Sequence, residues 1–574
     1  MLKGMLGTAV LWGHGRGCLP ALVVLVLFLG ALSLTATDYF VRQNGDDAAK
    51  GTSTNAAWRS IDRVNRSRLQ PGDRVLLEAG TSFTGNLLLS AEDAGRSNAP
   101  VVIGSFGDGR ARIDAGLGYA VLVRNAGGVE VRDLVCVGSD RRRNQGAGVA
   151  FINTLPGNAR LRHVRIRNVE AYGFGRELLK PKTVPEGFQL PQGAGILVAG
   201  NASDGSKSGF EDVEISGCEC HDNAYYGILL TGDWDARATR YANANVRIVG
   251  RRVFDNPGDP LYHENHSGSG ILVEDCDGGL VDRCVAFENG ALCNDAPGGP
   301  CGIWTAVANR VTIQNCESYR NRTQAADGDG FDLDGGCTGC VLQYNYSHDN
   351  DGAGYLVYTY AGAPHRDQSN AVRWNVSEND SVRHQGCGAI DVGNDGAGMS
   401  AIELYQNTLI ITRTNRPAEA VVTVHGRNLG VAFRNNLLVN LSGTSLVSVR
   451  QDTPAIIFQG NLYWTTGSPF ARSGDRSIPS LEAWQKAGKE CLDEKPAGRF
   501  ANPQLNLATP RGLEGDLSRL SSLRAFVPAL DSPARNGGLD LAALFKLDRG
   551  TRDFSNRTLD SGQRLVVGAA IVAP

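Results

Sequence analysis

One feature of the sequence limits the fold more than any other: a short strand-like segment that ends in Asn recurs every 29–33 residues. Each copy continues, after a turn of variable length, with Gly or Ala and a short β-type run, such as GILV from residue 270. A fixed period with insertions confined to one place is typical of a stacked solenoid, so we predict an all-β parallel β-helix with about ten or more rungs. The six copies end at Asn223, Asn256, Asn289, Asn321, Asn350 and Asn379.

These Asn residues have a predicted structural role. An Asn at a bend can turn inward and hydrogen-bond the next rung, which would satisfy a ladder of buried amides. On this repeat, residues 38–466 resemble the right-handed parallel β-helix, pectate-lyase-like superfamily of exported polysaccharide-active proteins. The resemblance implies a right-handed coil, as does the crossover rule for parallel strands.

The ends of a solenoid expose unpaired strand edges and need caps. Residues 56–68 have amphipathic spacing at Trp58, Ile61 and Val64, which predicts an amino-terminal cap helix. We expect residues 467–574 to form a tail that packs on or caps the β-helix. Residues 1–36 place a basic region, an apolar region and small residues in the order of a cleaved signal peptide, with an uncleaved anchor as the alternative.

Composition and the export signal narrow the partners. The formal charge is −3, with 57 basic and 60 acidic residues, so no overall field would attract nucleic acid or an acidic membrane surface. We therefore predict a secreted, periplasmic or cell-surface protein that has no membrane partner after signal cleavage. We expect it to be a monomer that acts on a polysaccharide.

Alternation along each strand assigns side chains to the core or to the surface. Residues one and three places after each Gly or Ala point inward, and they are mostly apolar, as Ile271 and Val273 illustrate. Because rungs stack about 4.8 Å apart, equivalent outward residues become neighbours on one face. The first outward column contains Leu197, Leu229, Leu272, Trp304, Asp332, Leu356, Asp391, Thr423 and Ser448. The second contains Ala199, Thr231, Glu274, Ala306, Asp334, Tyr358, Gly393, His425 and Arg450.

Acidic residues on the middle rungs are the predicted catalytic groups: Asp332, Asp334 and Asp391. Asp332 and Asp391 lie two rungs apart, which places their carboxyl groups on the order of 10 Å from each other. That is near the upper end of the separation of about 6.5–9.5 Å used by inverting glycosidases. Asp334 is a like-charge neighbour of Asp332 that would raise one pKa, as a general acid requires.

Further residues on or near the outward columns are candidate substrate contacts. Trp304 offers a stacking surface for a sugar ring, and two basic residues precede the strand that carries Asp391. The predicted substrate-binding residues are Trp304, Glu274, Tyr358, His425, Arg383 and His384.

A calcium site is the alternative use of the same acidic segment, because hard cations take clustered carboxylate oxygens. Its predicted ligands are Asp327, Asp329 and Asp351. The hydrolase hypothesis requires no cofactor, so calcium belongs only to the alternatives.

A narrower resemblance appears in the segment Asp329-Gly330-Phe331-Asp332, followed by Asn350-Asp351. These residues resemble the Asp-Gly-Phe-Asp and paired-Asp elements of polygalacturonases, and the match implies Asp329 and Asp351 as the catalytic acids. The Gly-His-Gly and Arg-Ile-Lys elements of that family are missing from the corresponding places. We therefore treat the likeness as kinship within the superfamily.

Three functions remain open from the sequence. A glycoside hydrolase that uses paired Asp carboxylates is the first. A calcium-dependent lyase that cleaves a uronic-acid polymer is the second, although residues 208–485 contain no Lys to serve as its base. A carbohydrate-binding or structural β-helix without activity is the third, because a fold does not dictate function.

Overall fold

A computed structural model describes residues 36–139, 144, 146–175, 193–263, 265–294, 298–508, 513–559 and 566–570. These residues form a right-handed parallel β-helix of about 12 turns, as the repeat predicts. The predicted signal peptide lies outside the described residues, except for Ala36. Within the described ranges, no helix is long and apolar enough to cross a membrane.

Each turn of the β-helix contributes to three parallel sheets, and several long strands bend from one sheet into the next. We call the first the groove sheet; its strands are Leu87–Leu89, Val121–Arg124, Val149–Asn153, Ala194–Gly200, Tyr226–Thr231, Ser269–Phe287, Cys301–Gln314, Asp329–Leu333, Tyr355–Thr359, Ile390–Asn394, Ala420–Gly426, Ser445–Val449 and Ala471–Ser473. The second sheet continues the two longest of these and adds Asp38–Val41, Arg74–Glu78, Val101–Phe106, Val129–Val137, Arg160–Tyr172, Gly209–Ser216, Asn243–Phe254, Val341–Gln343, Asp367–Gln368, Ala371–Arg373, Met399–Tyr405, Leu429–Arg434 and Ile456–Gln459.

The third sheet takes up the far ends of the bent strands. Its short strands are Ser82–Thr84, Ala111–Asp114, Glu219–His221, Glu317–Tyr319, Tyr346–His348, Val376–Glu378, Thr408–Ile411, Leu437–Asn440, Leu462–Thr465 and Arg499–Phe500. Two antiparallel additions follow the last groove-sheet strand: Arg476–Ile478 pairs with Ala471–Ser473, and Cys491–Leu492 pairs with Lys495–Pro496. Parallel pairing also continues beyond residue 466, because Ala471–Ser473 pairs with Ser445–Val449 and Arg499–Phe500 pairs with Leu462–Thr465.

Helices are few and short. The α-helices are Ile61–Asn65, Leu481–Lys486 and Leu541–Phe545, and the 3₁₀-helices are Thr54–Ala56, Ala91–Asp93, Leu517–Ser522, Arg524–Phe526 and Pro533–Asn536. The amino-terminal cap helix is therefore shorter than the predicted segment 56–68. Trp58 lies in a β-bridge with Val41 instead of on the helix, because its backbone continues the first rung. Trp58, Ile61 and Val64 are nevertheless buried together over the end of the core.

The Asn ladder explains the repeated motif. The Asn256 side-chain amide donates to Asn289 Oδ1 at 2.9 Å, and Asn321 donates to Asn350 in the same way at 2.8 Å. The Gly that begins the next strand lies against this ladder. A Cβ atom at Gly330 would be only 2.8 Å from the Asn350 amide nitrogen, so a side chain there would push the ladder apart.

The prediction of the ladder is wrong for one residue, Asn379. Asn379 lies on the surface, where its side chain bonds Thr412, and the ladder position belongs to Asp380, which accepts from the Asn350 amide at 2.8 Å. Asn379 has a φ of 55°, the left-handed conformation that the residue before every other ladder Asn also adopts, so Asn379 occupies that preceding position and Asp380 replaces the Asn. A second, unpredicted ladder runs parallel to the first and also ends on an acid: Asn345, Asn375, Asn407, Asn436, Asn461 and Glu490.

The predicted register of the groove sheet is confirmed. Trp304 pairs with Asp332, Asp332 with Leu356, and Leu356 with Asp391, so the first outward column is continuous. The inward residues, among them Ile271 and Val273, belong to the main core. On the early rungs, however, the outward Leu residues are also buried, because neighbouring Tyr and Ala side chains cover them.

The carboxy-terminal segment packs against the third sheet. Leu520, Phe526 and Phe554 contact an apolar strip that includes Tyr346 and Leu437. The tail therefore lies on a different face from the groove sheet, and it leaves that sheet open. At the end of the coil, Leu481 and Trp484 of the second α-helix join the main core.

Candidate active site

The outward face of the groove sheet carries a groove of about 980 Å³. Its lining includes most of the predicted site residues, although they come from six different rungs. The ten predicted residues that line it are Glu274, Trp304, Asp327, Asp332, Asp334, Tyr358, Arg383, His384, Asp391 and His425. The alternation of side chains along the strands brings them together on one face.

Two half-buried acids, Asp327 and Asp334, line the groove on either side of the strand Asp329–Leu333. Asp327 has a φ of 56° at the turn before its strand, and its carboxylate accepts a hydrogen bond from the Gly299 N–H at 2.7 Å. Burial raises the pKa of Asp327 to about 6, against the effect of that hydrogen bond, and the charge of Asp391 adds to the increase. Burial also raises the pKa of Asp334 to about 7, with a further contribution from the charges of Asp327 and Glu274.

Asp332 lies at the floor of the groove and is only 2% exposed. Within the described part of the chain its Oδ1 atom has no hydrogen-bond partner, and the Cys301 thiol lies 4.0 Å from Oδ2. Burial raises the pKa of Asp332 well above its usual value, and the charge of Asp334 raises it further. A protonated Asp332 would remove a repulsive charge from beneath Asp334.

Asp391 belongs to a hydrogen-bonded group farther along the groove. Thr423 on the next rung donates its hydroxyl to Asp391 Oδ1 at 2.6 Å, and His425 Nε2 lies 3.4 Å from the same oxygen. The hydrogen bond to Asp391 raises the pKa of His425. The group therefore joins a carboxylate to an imidazole that favours its cationic form.

Basic residues line the same side of the groove as His425. Arg383 reaches Gln324 Oε1 at 3.2 Å, and Arg450 lies 3.8 Å from Glu419. Burial lowers the pKa of His384, so this histidine favours its neutral form. The Tyr358 hydroxyl donates to Asp395, and burial together with that hydrogen bond raises the pKa of Tyr358.

The remaining two predicted residues, Asp329 and Asp351, do not line the groove. Asp329 is 1% exposed and accepts a hydrogen bond from the Ala353 N–H, while Asp351 pairs with Arg322 at 3.1 Å. Across the described residues, no group of three or more His, Cys, Asp or Glu side chains is arranged to hold a metal ion. The calcium site stays a prediction.

The sequence did not single out three aromatic residues that line the groove: Trp234, His266 and Tyr360. Trp234 and His266 lie in connections between strands, where the repeat gives no register. Tyr360 follows the strand Tyr355–Thr359 and lies two residues beyond Tyr358, so the alternation that identified Tyr358 could have been extended to it. Trp234 and His266 could have been found only by inspecting the connections that border the outward columns.

Together, the coil and its acidic groove define a right-handed parallel β-helix protein with an acidic groove on one sheet. Residues 187–409 match the family model described as a right-handed beta helix region. A curated relative, lacto-N-biosidase from Bifidobacterium longum subsp. longum, is 24% identical over 505 residues. The alignment covers 71% of this chain but only 29% of that relative's length.

One solved structure supports the same fold. The GH136 lacto-N-biosidase from Eubacterium ramulus superposes with a TM-score of 0.51, covering 72% of this chain and 68% of that one, and at 20% identity this likeness shows the fold alone. The pectate lyase Pel9A gives a TM-score of 0.42 at 14% identity, covering 94% and 96% of the two chains.

Proposed function

We propose that the protein is an exported glycoside hydrolase whose active site is the acidic groove. The observation that carries the proposal is the pair Asp327 and Asp334, two accessible carboxyl groups with raised pKa values in one cleft. Two acids whose environments separate their pKa values are the arrangement that hydrolysis of a glycosidic bond requires. The sequence also predicts Asp332 and Asp334 as catalytic residues. Asp327, which the sequence predicts as a calcium ligand, is here proposed as a catalytic residue.

Asp334 is the proposed proton donor, because its pKa of about 7 keeps part of the population protonated near neutral pH. Its proton passes to the glycosidic oxygen as the bond from that oxygen to the anomeric carbon breaks. The Gly299 N–H stabilises the Asp327 carboxylate, which serves as the nucleophile or as the base that activates water. Water supplies the hydroxyl group of the new reducing end, and the anomeric configuration of the first product distinguishes these two roles.

Asp391 is the alternative second carboxylate, as the sequence predicts. The register aligns Asp334 with Gly393, two residues beyond Asp391 and two rungs away, so the two Cα atoms are roughly 12 Å apart. Asp391 Oδ1 already accepts the Thr423 hydroxyl and lies 3.4 Å from His425 Nε2, so this carboxylate is engaged by its own rungs. We therefore assign Asp391 and His425 to substrate binding, at the end of the groove that Arg450 also lines.

The relatives support the reaction class and suggest a first substrate. The curated relative from Bifidobacterium longum and the solved structure from Eubacterium ramulus are both named lacto-N-biosidases. The lyase alternative is weaker, because its base would be Arg383, Arg427, Arg450 or Tyr358, and the raised pKa of Tyr358 keeps its proton in place.

The test is incubation of the purified protein with an aryl lacto-N-bioside and with a panel of neutral and acidic polysaccharides, with and without EDTA. We expect aryl alcohol or new reducing ends, no unsaturated sugar absorbing in the ultraviolet, and no effect of EDTA. An EDTA-sensitive rise in ultraviolet absorbance would establish the lyase instead. Binding without any product would establish the non-catalytic alternative.

A further inference from the structure

The two ends of the groove differ in charge. Arg383, Arg450 and His425 line the end beside Asp391. The opposite end is lined by Trp234, Tyr360, Trp304, His266 and Glu274, and we call it the aromatic end. Its cationic neighbour Lys207 is 9% exposed and already paired, because its Nζ lies 2.8 Å from Asp275 Oδ2 and also donates to the Asp233 carbonyl.

Trp234 is the exposed surface of the aromatic end. Its side chain is 52% exposed, which is unusual for a Trp, and its indole N–H donates to the Tyr360 hydroxyl at 3.2 Å. This hydrogen bond fixes the ring by its edge and leaves a face open toward the groove. Lys207 holds the preceding residue, Asp233, so the Trp234 connection is anchored before any ligand arrives.

The aromatic end adjoins the proposed proton donor. The Tyr360 ring packs against Gly335, the residue after Asp334, where a Cβ atom would lie 2.5 Å from the ring. Trp304 closes the wall behind it, with His266 against its ring at 4.9 Å and 71°. Burial lowers the pKa of His266 to about 4, so this imidazole is neutral near pH 7 and offers no positive charge to an anion. Burial raises the pKa of Glu274 to about 7, so its carboxyl group is partly protonated there.

We propose that the aromatic end is a sugar-binding subsite for one uncharged pyranose unit, with Trp234 as its stacking platform and Glu274 as its hydroxyl partner. The inference rests on the proposed function, because it places this unit next to the bond that Asp334 protonates. Open aromatic faces bind the C–H face of a pyranose, and a neutral hydroxyl group suits a carboxyl better than a second carboxylate does. A uronic acid would meet Glu274 and Asp334 here without a free cation among the described lining residues of this end.

The test measures binding separately from cleavage. Saturation-transfer NMR is recorded on a mixture of methyl galactoside and methyl glucoside, and on the matching methyl uronosides. The variants are Trp234→Ala, Trp234→Phe, Asp334→Asn and, as a control of similar exposure outside the groove, Leu530→Ala. We expect signals from the neutral glycosides with wild type, about tenfold weaker binding for Trp234→Ala, and near-normal binding for Asp334→Asn and Leu530→Ala. Trp234→Phe should bind at an intermediate level, because it keeps an aromatic face but loses the N–H that bonds Tyr360.

The outcomes separate the two proposals. Binding that depends on Trp234 in a protein that cuts no glycan would retain the subsite and reject the hydrolase. Unchanged binding in Trp234→Ala, preference for the uronosides, or no binding of either neutral glycoside to wild type would overturn the subsite, even in an active hydrolase.

Discussion

Two regions of the molecule contain buried acids with similar pKa values but different surroundings. At the ends of the Asn ladders, burial raises the pKa of Asp380 to about 6 and that of Glu490 to about 7. Asp380 accepts hydrogen bonds from Asn350 at 2.8 Å and from Ser377 at 2.6 Å, so both its oxygens have partners. In the groove, Asp327 and Asp334 have comparable pKa values but remain accessible. A raised pKa alone therefore does not identify a catalytic acid; access to the groove does.

The sharpest way to test this contrast is Asp334→Asn. Removal of a general acid lowers kcat by about 10²–10⁴-fold, and we expect the upper part of that range for a substrate with a poor leaving group. Thermal unfolding should stay close to wild type, because the substitution removes a half-buried charge and preserves the side-chain shape. Steady-state kinetics on the substrate found in the panel, with a melting curve, checks both expectations.

The control is an aryl glycoside whose leaving group needs no proton. If the loss in Asp334→Asn is as large with this substrate as with a glycan, Asp334 is not the proton donor.

A second comparison separates Asp327 from Asp391. We expect Asp327→Asn to lower kcat by at least about 10²-fold, and Asp391→Asn to act mainly on KM. Asp391 lies beside His425 at the end of the groove that we assign to binding, whereas Asp327 and Asp334 flank one strand. The reverse pattern, with kcat lost only in Asp391→Asn, would restore the pair predicted from the sequence.

Substitution of Asp380, the acid at the end of the first Asn ladder, should change stability and leave activity unaffected. Asp380→Ala leaves the Asn350 amide and the Ser377 hydroxyl without partners, which we expect to cost about 2–3 kcal/mol of unfolding free energy. Asp380→Asn keeps an acceptor in the ladder and should cost less than about 1 kcal/mol. Urea denaturation measures both, and kcat per folded molecule should not change. A loss of activity in fully folded Asp380→Asn would contradict the division into structural and catalytic acids.

The smallest expected effect is on the pH dependence of stability. The folded-state pKa values of Asp380 and Glu490 lie above their usual values, so the folded protein binds more protons than the unfolded chain between about pH 4 and 7. Stability from these groups is therefore present at low pH and decreases as pH rises through the folded pKa values, by on the order of 1–3 kcal/mol.

Melting curves of wild type and of Asp380→Asn combined with Glu490→Gln, recorded from pH 5 to 8, should show a flatter dependence in the variant. Parallel curves would mean that these acids are not buried as described.

The sequence predicted the groove sheet well because its information lies in regular alternation. The pairing of Trp304, Asp332, Leu356 and Asp391 follows from counting residues after each Gly or Ala. The search for a recurring Asn failed at Asn379, because Asp380 replaces the ladder Asn on that rung and the Asn stands one position earlier. It also missed Trp234, whose position depends on a Lys207 contact made 26 residues away. Long-range contacts of irregular connections leave no periodic signal.

The pH dependence of kcat/KM tests the central claim most directly, because it reports the pKa values of the free enzyme. Since Asp327 and Asp334 titrate as interacting groups, we expect a narrow bell-shaped profile for wild type, with limbs near the pKa values of about 6 and about 7. Asp334→Asn should lose the alkaline limb together with most of the activity, whereas Asp380→Asn should keep the wild-type profile. A folded Asp334→Asn variant with the activity and profile of wild type would contradict the assignment of the groove as a carboxylate hydrolase site.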